Sequence, residues 1–275
     1  MTMKATCIAA FVLAAPGLAG AAAEDAVETM AREHADDRPV PAAAAGEPTI
    51  DVEGGPVRYG AYQGYAARPK DEPKGGVIVI HEWWGLNDNI REMTRRLAAE
   101  GYLALAVDVY NGRSAAEPGE ARELASAAMS APERTDENLR AAYAWLEARG
   151  VPAIGSIGWC FGGGLSLQTA LLHPDSLDAA VIYYGHVTTD RDELASLEVP
   201  ILGIFGAEDQ GIPVDAVREF EATLKDLGKS AEVVVYPDAG HAFANPSGTN
   251  YEAEAAADAW MRTLEFFDRY LAGAP

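Results

Sequence analysis

The feature that most constrains the fold is a regular alternation of short apolar runs with longer helix-like segments, from residue 76 to residue 271. Continuous apolar runs bounded by turn residues are typical of strands buried on both faces of a sheet. The strand candidates are 76–81, 103–109, 153–160, 178–185, 200–206 and 231–237. Repeated strand–helix units with short connections imply an α/β fold, with a doubly wound, mostly parallel sheet flanked by helices. In such sheets the reactive groups lie on loops at the carboxyl ends of the strands.

The segments between these strands predict the helices, and one further segment predicts an outer strand. The helix candidates are 88–101, 117–129, 133–149, 162–174, 213–228 and 253–271. The first of them has Asn87 or Asp88 as its cap and Gly101 as its stop signal. Residues 57–69 alternate like a half-exposed strand. The last helix carries a helically spaced apolar stripe, which predicts a core-facing surface: Trp260, Leu264, Phe267 and Leu271.

The amino-terminal segment has the pattern of a secretory signal. Lys4 precedes an uncharged apolar stretch that ends in small residues near Ala23. We therefore predict a signal peptide over 1–23, a flexible linker over 24–48 and one large α/β domain over 49–275. After cleavage the protein would be periplasmic or secreted, with no membrane association. An uncleaved membrane anchor is the alternative.

The charge balance limits the classes of partner. The formal net charge is −21, and removal of a signal that carries only Lys4 would leave about −22. No basic stripe is available to neutralise phosphates, so nucleic acid is not an expected partner. No His/Cys/Asp cluster has the spacing of metal ligands, so we expect no metal and no cofactor. The expected partner is a small molecule, and the chain is expected to act as a monomer, with a dimer as the alternative.

The sequence "GWCFGG" predicts a nucleophile. Gly158-Trp159-Cys160-Phe161-Gly162 matches the spacing of a nucleophile elbow, with cysteine where serine is usual. A nucleophile on a tight strand-to-helix turn needs glycine two residues before it and two residues after it, because larger side chains would collide there. The helix N-terminus favours the thiolate. Loss of Cys7 with the signal would leave Cys160 as the only thiol. The alternative is an inert packing cysteine.

Two further residues lie just beyond predicted strands. Asp209 follows the 200–206 strand and His241 follows the 231–237 strand. The chain order Cys160, Asp209, His241 is nucleophile, acid and base, as in α/β-hydrolase triads. Glu208 is a rival acid, Asp209 could be only a helix cap, and His186 is an outside candidate for the site.

The segment "HEWWGLND" follows the strand that ends at His81. Acyl transfer needs hydrogen-bond donors for the developing oxyanion. An elbow supplies one donor, and the loop after this strand supplies the other. We predict that the backbone N–H groups of Trp83 and Phe161 form this oxyanion hole. Glu82 would lie close to the thiol, where it could hold or take the thiol proton or act only as a brace for the loop.

From about residue 50 to its end the chain resembles the dienelactone hydrolase family, the carboxymethylenebutenolidases. The resemblance lies in five motifs that occur in order: "HEWWG", "VDVYNG", "GWCFGGG", "EDQGIP" and "AGHAFAN". It implies an α/β-hydrolase fold, a Cys-His-Asp triad at Cys160, His241 and Asp209, and an oxyanion hole at Trp83 and Phe161. It also implies that Glu82 accepts the thiol proton when substrate arrives.

The chain departs from the family at the substrate carboxylate. Dienelactone hydrolases resemble one another in using two arginines to bind that group. Here Arg113 is offset from the first position, and Asn245 occupies the second. A lost bidentate carboxylate contact costs roughly 1.5–3 kcal/mol. Trp84 is a further candidate for the apolar lining, where aromatic residues could equally be packing. The predicted substrate-binding residues are Arg113, Tyr110, Trp159, Phe243 and Asn245.

These features predict an exported carboxylic ester hydrolase that cleaves a small ester or lactone through an acyl-cysteine intermediate. The alternative is a redox-sensitive thiol or ligand-binding protein on a hydrolase fold, because an activated lone thiol in an oxidising compartment can form sulfenic acid or a mixed disulfide. A redox role does not require His241 and Asp209 in their places, whereas hydrolysis does.

Overall fold

The computed structural model describes residues 28, 31, 32 and 52–272 of the chain. The predicted signal peptide over 1–23 and nearly all of the linker over 24–48 lie outside these residues. An eight-stranded sheet forms the centre of the described domain, with the strand order β1-β2-β4-β3-β5-β6-β7-β8. The strands are β1 (Glu53–Tyr59), β2 (Tyr62–Arg68), β3 (Gly76–Ile80), β4 (Leu103–Val107), β5 (Ile154–Trp159), β6 (Ala179–Tyr183), β7 (Ile201–Gly206) and β8 (Ala231–Tyr236).

Strands β3 to β8 are parallel, whereas β1 and β2 form an antiparallel hairpin that pairs with β4 at one edge. The helices connect the strands and cover the sheet. They are α1 (Asp88–Ala99), α2 (Pro118–Met129), α3 (Pro132–Glu147), α4 (Phe161–Leu172), α5 (Arg191–Ala195), α6 (Val214–Asp226) and α7 (Ala253–Tyr270). The predicted doubly wound, mostly parallel α/β fold is confirmed, and so are the six predicted inner strands.

Two elements differ from the sequence predictions. The alternating segment 57–69 is not one strand, because the chain reverses at Gly60 and Ala61 between β1 and β2. Gly60 has a φ of +58°, which glycine adopts without steric cost. The alternation of apolar and polar residues continues through a tight hairpin, so this pattern alone does not distinguish one long strand from two short ones. The short helix α5 was not predicted, because five residues are too few to show a helical period.

The two faces of the sheet have separate apolar cores. Alternate residues of β3 point to opposite faces, Ile78 and Ile80 to one core and Val77 and Val79 to the other. The first core is covered by α2 to α6, and the second by α1 and α7. In the predicted stripe of α7, Phe267 and Leu271 are buried in the second core, while Trp260 is half-buried against it.

Local signals fix the ends of α1. The side chain of Asn87 accepts a hydrogen bond from the amide of Ile90, so Asn87 rather than Asp88 is the cap. Gly101 has a φ of +98° just after the helix, as its role as stop signal predicts. Across the region that the structure describes, no helix combines the length and the apolar character that a membrane span requires.

Candidate active site

Cys160 lies on a strained turn between β5 and α4. Its backbone has a φ of +55° and a ψ of −119°, values that a residue with a side chain rarely adopts. Its amide donates to the carbonyl of Tyr183 at 3.0 Å, and its carbonyl accepts from the amides of Gly163 and Gly164. The amide of Phe161, at the first position of α4, has no acceptor within the helix. The side chain of Cys160 is buried and carries a thiol rather than a disulfide.

Close backbone approaches explain the glycines beside Cys160. A Cβ atom on Gly158 would collide with the carbonyl of Gly162, so the elbow could not close with any other residue at position 158. A Cβ atom on Gly162 would collide with the carbonyl groups of Ile80 and His81. The start of α4 therefore lies directly against the carboxyl end of β3. This contact brings the loop that contains Glu82 and Trp83 next to the elbow.

His241 and Asp209 form a buried hydrogen-bonded pair. The Nδ1 atom of His241 lies 2.8 Å from Oδ2 of Asp209. The other carboxylate oxygen accepts from the amides of Gly211 and Ile212 at 2.9 and 2.8 Å, which fixes the orientation of the carboxylate. The neighbouring acid Glu208 is exposed and does not take this place. Asp209 follows β7 and His241 follows β8, so both lie at the carboxyl ends of the parallel strands, as Cys160 does.

The environment of His241 favours its protonated form. Burial alone lowers the pKa of this imidazole. The negative charge of the Cys160 thiolate and the hydrogen bond with Asp209 act in the opposite direction, and the net pKa lies well above the ordinary value. The arrangement can thus hold a thiolate beside an imidazolium. Such a pair is a strong nucleophile with a proton donor next to it.

His81 anchors the loop after β3 rather than presenting a base. Its Nε2 atom accepts from the amide of Val109 at 3.2 Å, so the proton is on Nδ1, which lies 2.6 Å from the carbonyl of Glu82. Burial lowers the pKa of His81, which keeps the ring neutral. The two hydrogen bonds tie the ends of β3 and β4 together and hold the backbone of Glu82 in place.

Glu82 is held by an amide. Its buried carboxylate accepts from Nδ2 of Asn245 at 2.7 Å. The orientation of that amide is fixed, because its Oδ1 atom accepts from the backbone N–H and the hydroxyl of Ser247 at 2.9 and 2.7 Å. A weaker contact of 3.4 Å comes from Asn89. Asn245, predicted to bind substrate, therefore donates to Glu82, and its role toward a substrate stays a prediction.

The predicted aromatic residues are all buried, in one or the other of the two cores. Tyr110 packs on His81 and Phe161, with ring centroids 4.7 and 5.8 Å apart, beside the elbow. Trp159 is the last residue of β5 and is buried against Tyr183 in the second core. The others are also buried: Trp83 packs edge-on to Trp84, and Phe243 packs on Tyr184 and Tyr236.

Two of the predicted candidates have exposed side chains. The side chain of Arg113 is 59% exposed, and its guanidinium lies 3.9 Å from Glu120. His186, the outside candidate, is exposed beside the start of α4. A substrate contact by Arg113 would require its side chain to turn inward, and that role stays a prediction.

Tyr184 and Ser247 were not identified from the sequence. Tyr184 follows β6, and its ring packs edge-on to His241 at 5.3 Å. The only signal for it was its place after a buried strand, in "YYG", and that position alone does not show the direction of the side chain. Ser247 acts through Asn245, and nothing in the pattern indicated this contact.

The fold, together with the side chains that follow the carboxyl ends of its parallel strands, defines an α/β-hydrolase. The sequence matches the family described as "Dienelactone hydrolase family" over residues 62–271. A protein named "Putative carboxymethylenebutenolidase" from Saccharolobus solfataricus is 33% identical over 257 residues, which cover 80% of this chain and 96% of that protein. A protein of the same name from Escherichia coli is 34% identical over 224 residues, covering 75% of this chain and 82% of that protein.

A solved structure agrees with the sequence comparisons. The crystal structure titled "Putative Dienelactone Hydrolase" from Klebsiella pneumoniae is 32% identical, with a TM-score of 0.71, and covers 80% of this chain and 100% of that chain. The chain belongs to the dienelactone hydrolase family, as its five motifs predict, and it is a hydrolase related to the carboxymethylenebutenolidases.

Proposed function

We propose that this protein hydrolyses a small ester or lactone through an acyl-cysteine intermediate, with Cys160 as nucleophile, His241 as acid and base, and Asp209 as the residue that orients His241. The observation that carries the proposal is the buried 2.8 Å contact between His241 and Asp209, together with the electrostatic interaction of Cys160 with this imidazole. A packing cysteine does not require either contact.

Acylation begins when Glu82 accepts the proton of the Cys160 thiol. The thiolate attacks the carbonyl carbon of the substrate, and the carbonyl electron pair moves to oxygen. The N–H groups of Trp83 and Phe161 stabilise this oxyanion. The negative charge of the thiolate keeps His241 protonated. When the intermediate collapses, the bond to the leaving alcohol breaks and His241 supplies the proton to that oxygen.

Deacylation uses the neutral form of His241. The imidazole takes a proton from water, and the hydroxide attacks the carbonyl carbon of the thioester. The carbon–sulfur bond then breaks and releases the carboxylic acid, and Glu82 returns its proton to the Cys160 thiolate, which restores the thiol. Asp209 holds His241 with Nδ1 protonated, so that Nε2 is the atom that exchanges protons.

We predict that Asn245→Ala moves the acid limb of the kcat/KM profile to higher pH by about one unit. Asn245 donates to the charged form of the Glu82 carboxylate. Loss of a hydrogen bond to a charged group, about 1.5–3 kcal/mol, disfavours that form, so the proton acceptor would become available only at higher pH. The measurement is hydrolysis of an activated aryl ester from pH 4 to pH 9.

Asn89→Ala is the matched control for Asn245→Ala, because Asn89 makes only the 3.4 Å contact to the same amide. Its profile should coincide with that of the parent protein. Coincident profiles for Asn245→Ala and the parent would contradict the proposed part of Glu82 in acylation.

We further predict that an uncharged lactone is preferred over its carboxylate-bearing counterpart by about 10-fold or more in kcat/KM, because position 245 offers an amide in place of a guanidinium. Asn245→Arg should raise the relative rate for the carboxylate-bearing lactone. The measurement is a panel of matched lactones and two activated aryl esters. A preference for the carboxylate that disappears in Arg113→Ala would contradict this prediction and would assign the carboxylate to Arg113.

We also propose that residues 1–23 direct export to the periplasm or the medium, and that the cleaved protein works there as a monomer or a dimer. Support comes from the basic, apolar and small-residue pattern of this segment. Cell fractionation with amino-terminal sequencing of the isolated protein tests the proposal. A cytoplasmic protein that retains Met1 would contradict it.

A further inference from the structure

Tyr184 is a buried tyrosine in a strained conformation at the carboxyl end of β6. Its side chain is fully buried and its φ is +35°, a region that is costly for an aromatic residue. The segment is held close to the elbow, since a Cβ atom on Gly185 would collide with the backbone of Gly163. The carbonyl of the preceding residue, Tyr183, accepts from the amide of Cys160. The fold therefore maintains this strained residue directly beside the nucleophile.

The hydroxyl of Tyr184 has no hydrogen-bond partner among residues 52–272, although it is buried. A buried polar group without a partner costs about 1–3 kcal/mol, and phenylalanine would avoid this cost. The neighbouring Tyr183 shows the usual arrangement, because its buried hydroxyl lies 2.7 Å from Oγ1 of Thr263. The hydroxyls of these adjacent tyrosines thus differ in their partners, and packing alone does not account for the hydroxyl of Tyr184.

Tyr184 lies among the residues that are proposed to carry out the reaction. Its ring contacts His241 and Phe243. Burial, followed by the negative charges of Glu82 and Cys160, raises the pKa of Tyr184 well above its ordinary value. The phenol is therefore protonated throughout the pH range of ester hydrolysis, and its hydroxyl can donate to an anion or to a neutral oxygen that enters the site.

We propose that the hydroxyl of Tyr184 is a substrate-binding donor, which hydrogen-bonds an uncharged oxygen of the ester or lactone next to the bond that is broken. This inference rests on the proposed acyl-cysteine function. The described groups that act electrostatically on Tyr184 are acidic: Glu82, Cys160, Tyr183 and Asp209. A neutral donor in acidic surroundings suits an uncharged ester oxygen better than a carboxylate. Tyr110 has the same property, a buried hydroxyl without a partner in the described chain, beside the same thiol.

The test compares Tyr184→Phe with Tyr183→Phe. Tyr184→Phe should lower kcat/KM for the preferred uncharged ester or lactone by about 10- to 100-fold. It should leave the Tm unchanged or raise it, because a hydroxyl without a protein partner is removed. Tyr183→Phe should do the reverse, with a lower Tm from loss of the Thr263 contact and an unchanged kcat/KM. The pH profile of Cys160 alkylation by iodoacetamide should be the same in all three proteins.

Each other result overturns the inference. A parental kcat/KM in Tyr184→Phe would show that the hydroxyl does not contribute to substrate binding. A loss of stability together with activity would show that the hydroxyl has a structural role. A shifted alkylation profile would assign the hydroxyl to the thiolate instead of the substrate. Failure of the proposed function looks different, because the parent protein would then show no hydrolysis that depends on Cys160, and both proposals would fall together.

Discussion

Replacement of Cys160 by alanine is expected to lower kcat/KM for an activated aryl ester by at least about 10⁴-fold. The substitution removes the atom that attacks the carbonyl, while the oxyanion donors and the imidazole remain. The elbow should persist, since its geometry comes from Gly158 and Gly162 and from the amide contact to Tyr183. The measurement is the rate per mole of protein, with the Tm as the check on folding.

Alkylation of the parent protein is the matched control for Cys160→Ala, because it blocks the same atom without changing the sequence. Since Cys7 lies in the predicted signal, a protein that starts at Glu24 has Cys160 as its only thiol. The alkylated protein and the variant should be equally inactive. Parental rates in the Cys160→Ala protein would show that another group performs the reaction.

Asp209→Asn should lower kcat/KM by about 10³- to 10⁴-fold with little loss of stability. The amides of Gly211 and Ile212 would still hold the oxygen of the new side chain. Its NH₂ group would then face Nδ1 of His241 and force that atom to accept, so the imidazole would carry its proton on the wrong nitrogen for exchange with the thiol and water. Steady-state rates from pH 5 to pH 10 measure the loss.

Glu208→Gln is the matched control for Asp209→Asn, because it makes the same chemical change one residue earlier, on an exposed side chain. This variant should keep the parental rate. Equal losses in the two variants would mean that net charge, and not the orientation of His241, is responsible, and this outcome would contradict the proposed role of Asp209.

The fold was predictable because its signals are local. The inner strands are buried on both faces and appear as uninterrupted apolar runs, and the ends of α1 carry a cap and a glycine stop. The glycine spacing of the elbow is also local, since Gly158 and Gly162 must approach other backbone atoms closely. The order of the residues along the chain and the predicted strand ends were enough to predict that Cys160, Asp209 and His241 lie at the carboxyl ends of the parallel strands.

The remaining features depend on contacts between distant segments, and no sequence pattern contains them. The contact between Glu82 and Asn245 joins residues 163 positions apart. Arg113 was selected by its position in a motif, yet its side chain lies toward Glu120 and solvent. Whether the Tyr184 hydroxyl has a partner depends on all the segments that pack around it, and none of the described residues supplies one. For the same reason the sequence did not distinguish Tyr183, which packs with a partner, from Tyr184.

The most direct test of the account is the intact mass of the protein, measured within one turnover of mixing with an activated aryl ester. The expected result is a mass increase equal to the acyl group, located on the peptide that contains Cys160. The adduct should persist longer in Asp209→Asn and be absent in Cys160→Ala. Ester turnover without an adduct on Cys160, or a protein that carries Cys160 as sulfenic acid and forms no acyl adduct, would contradict it.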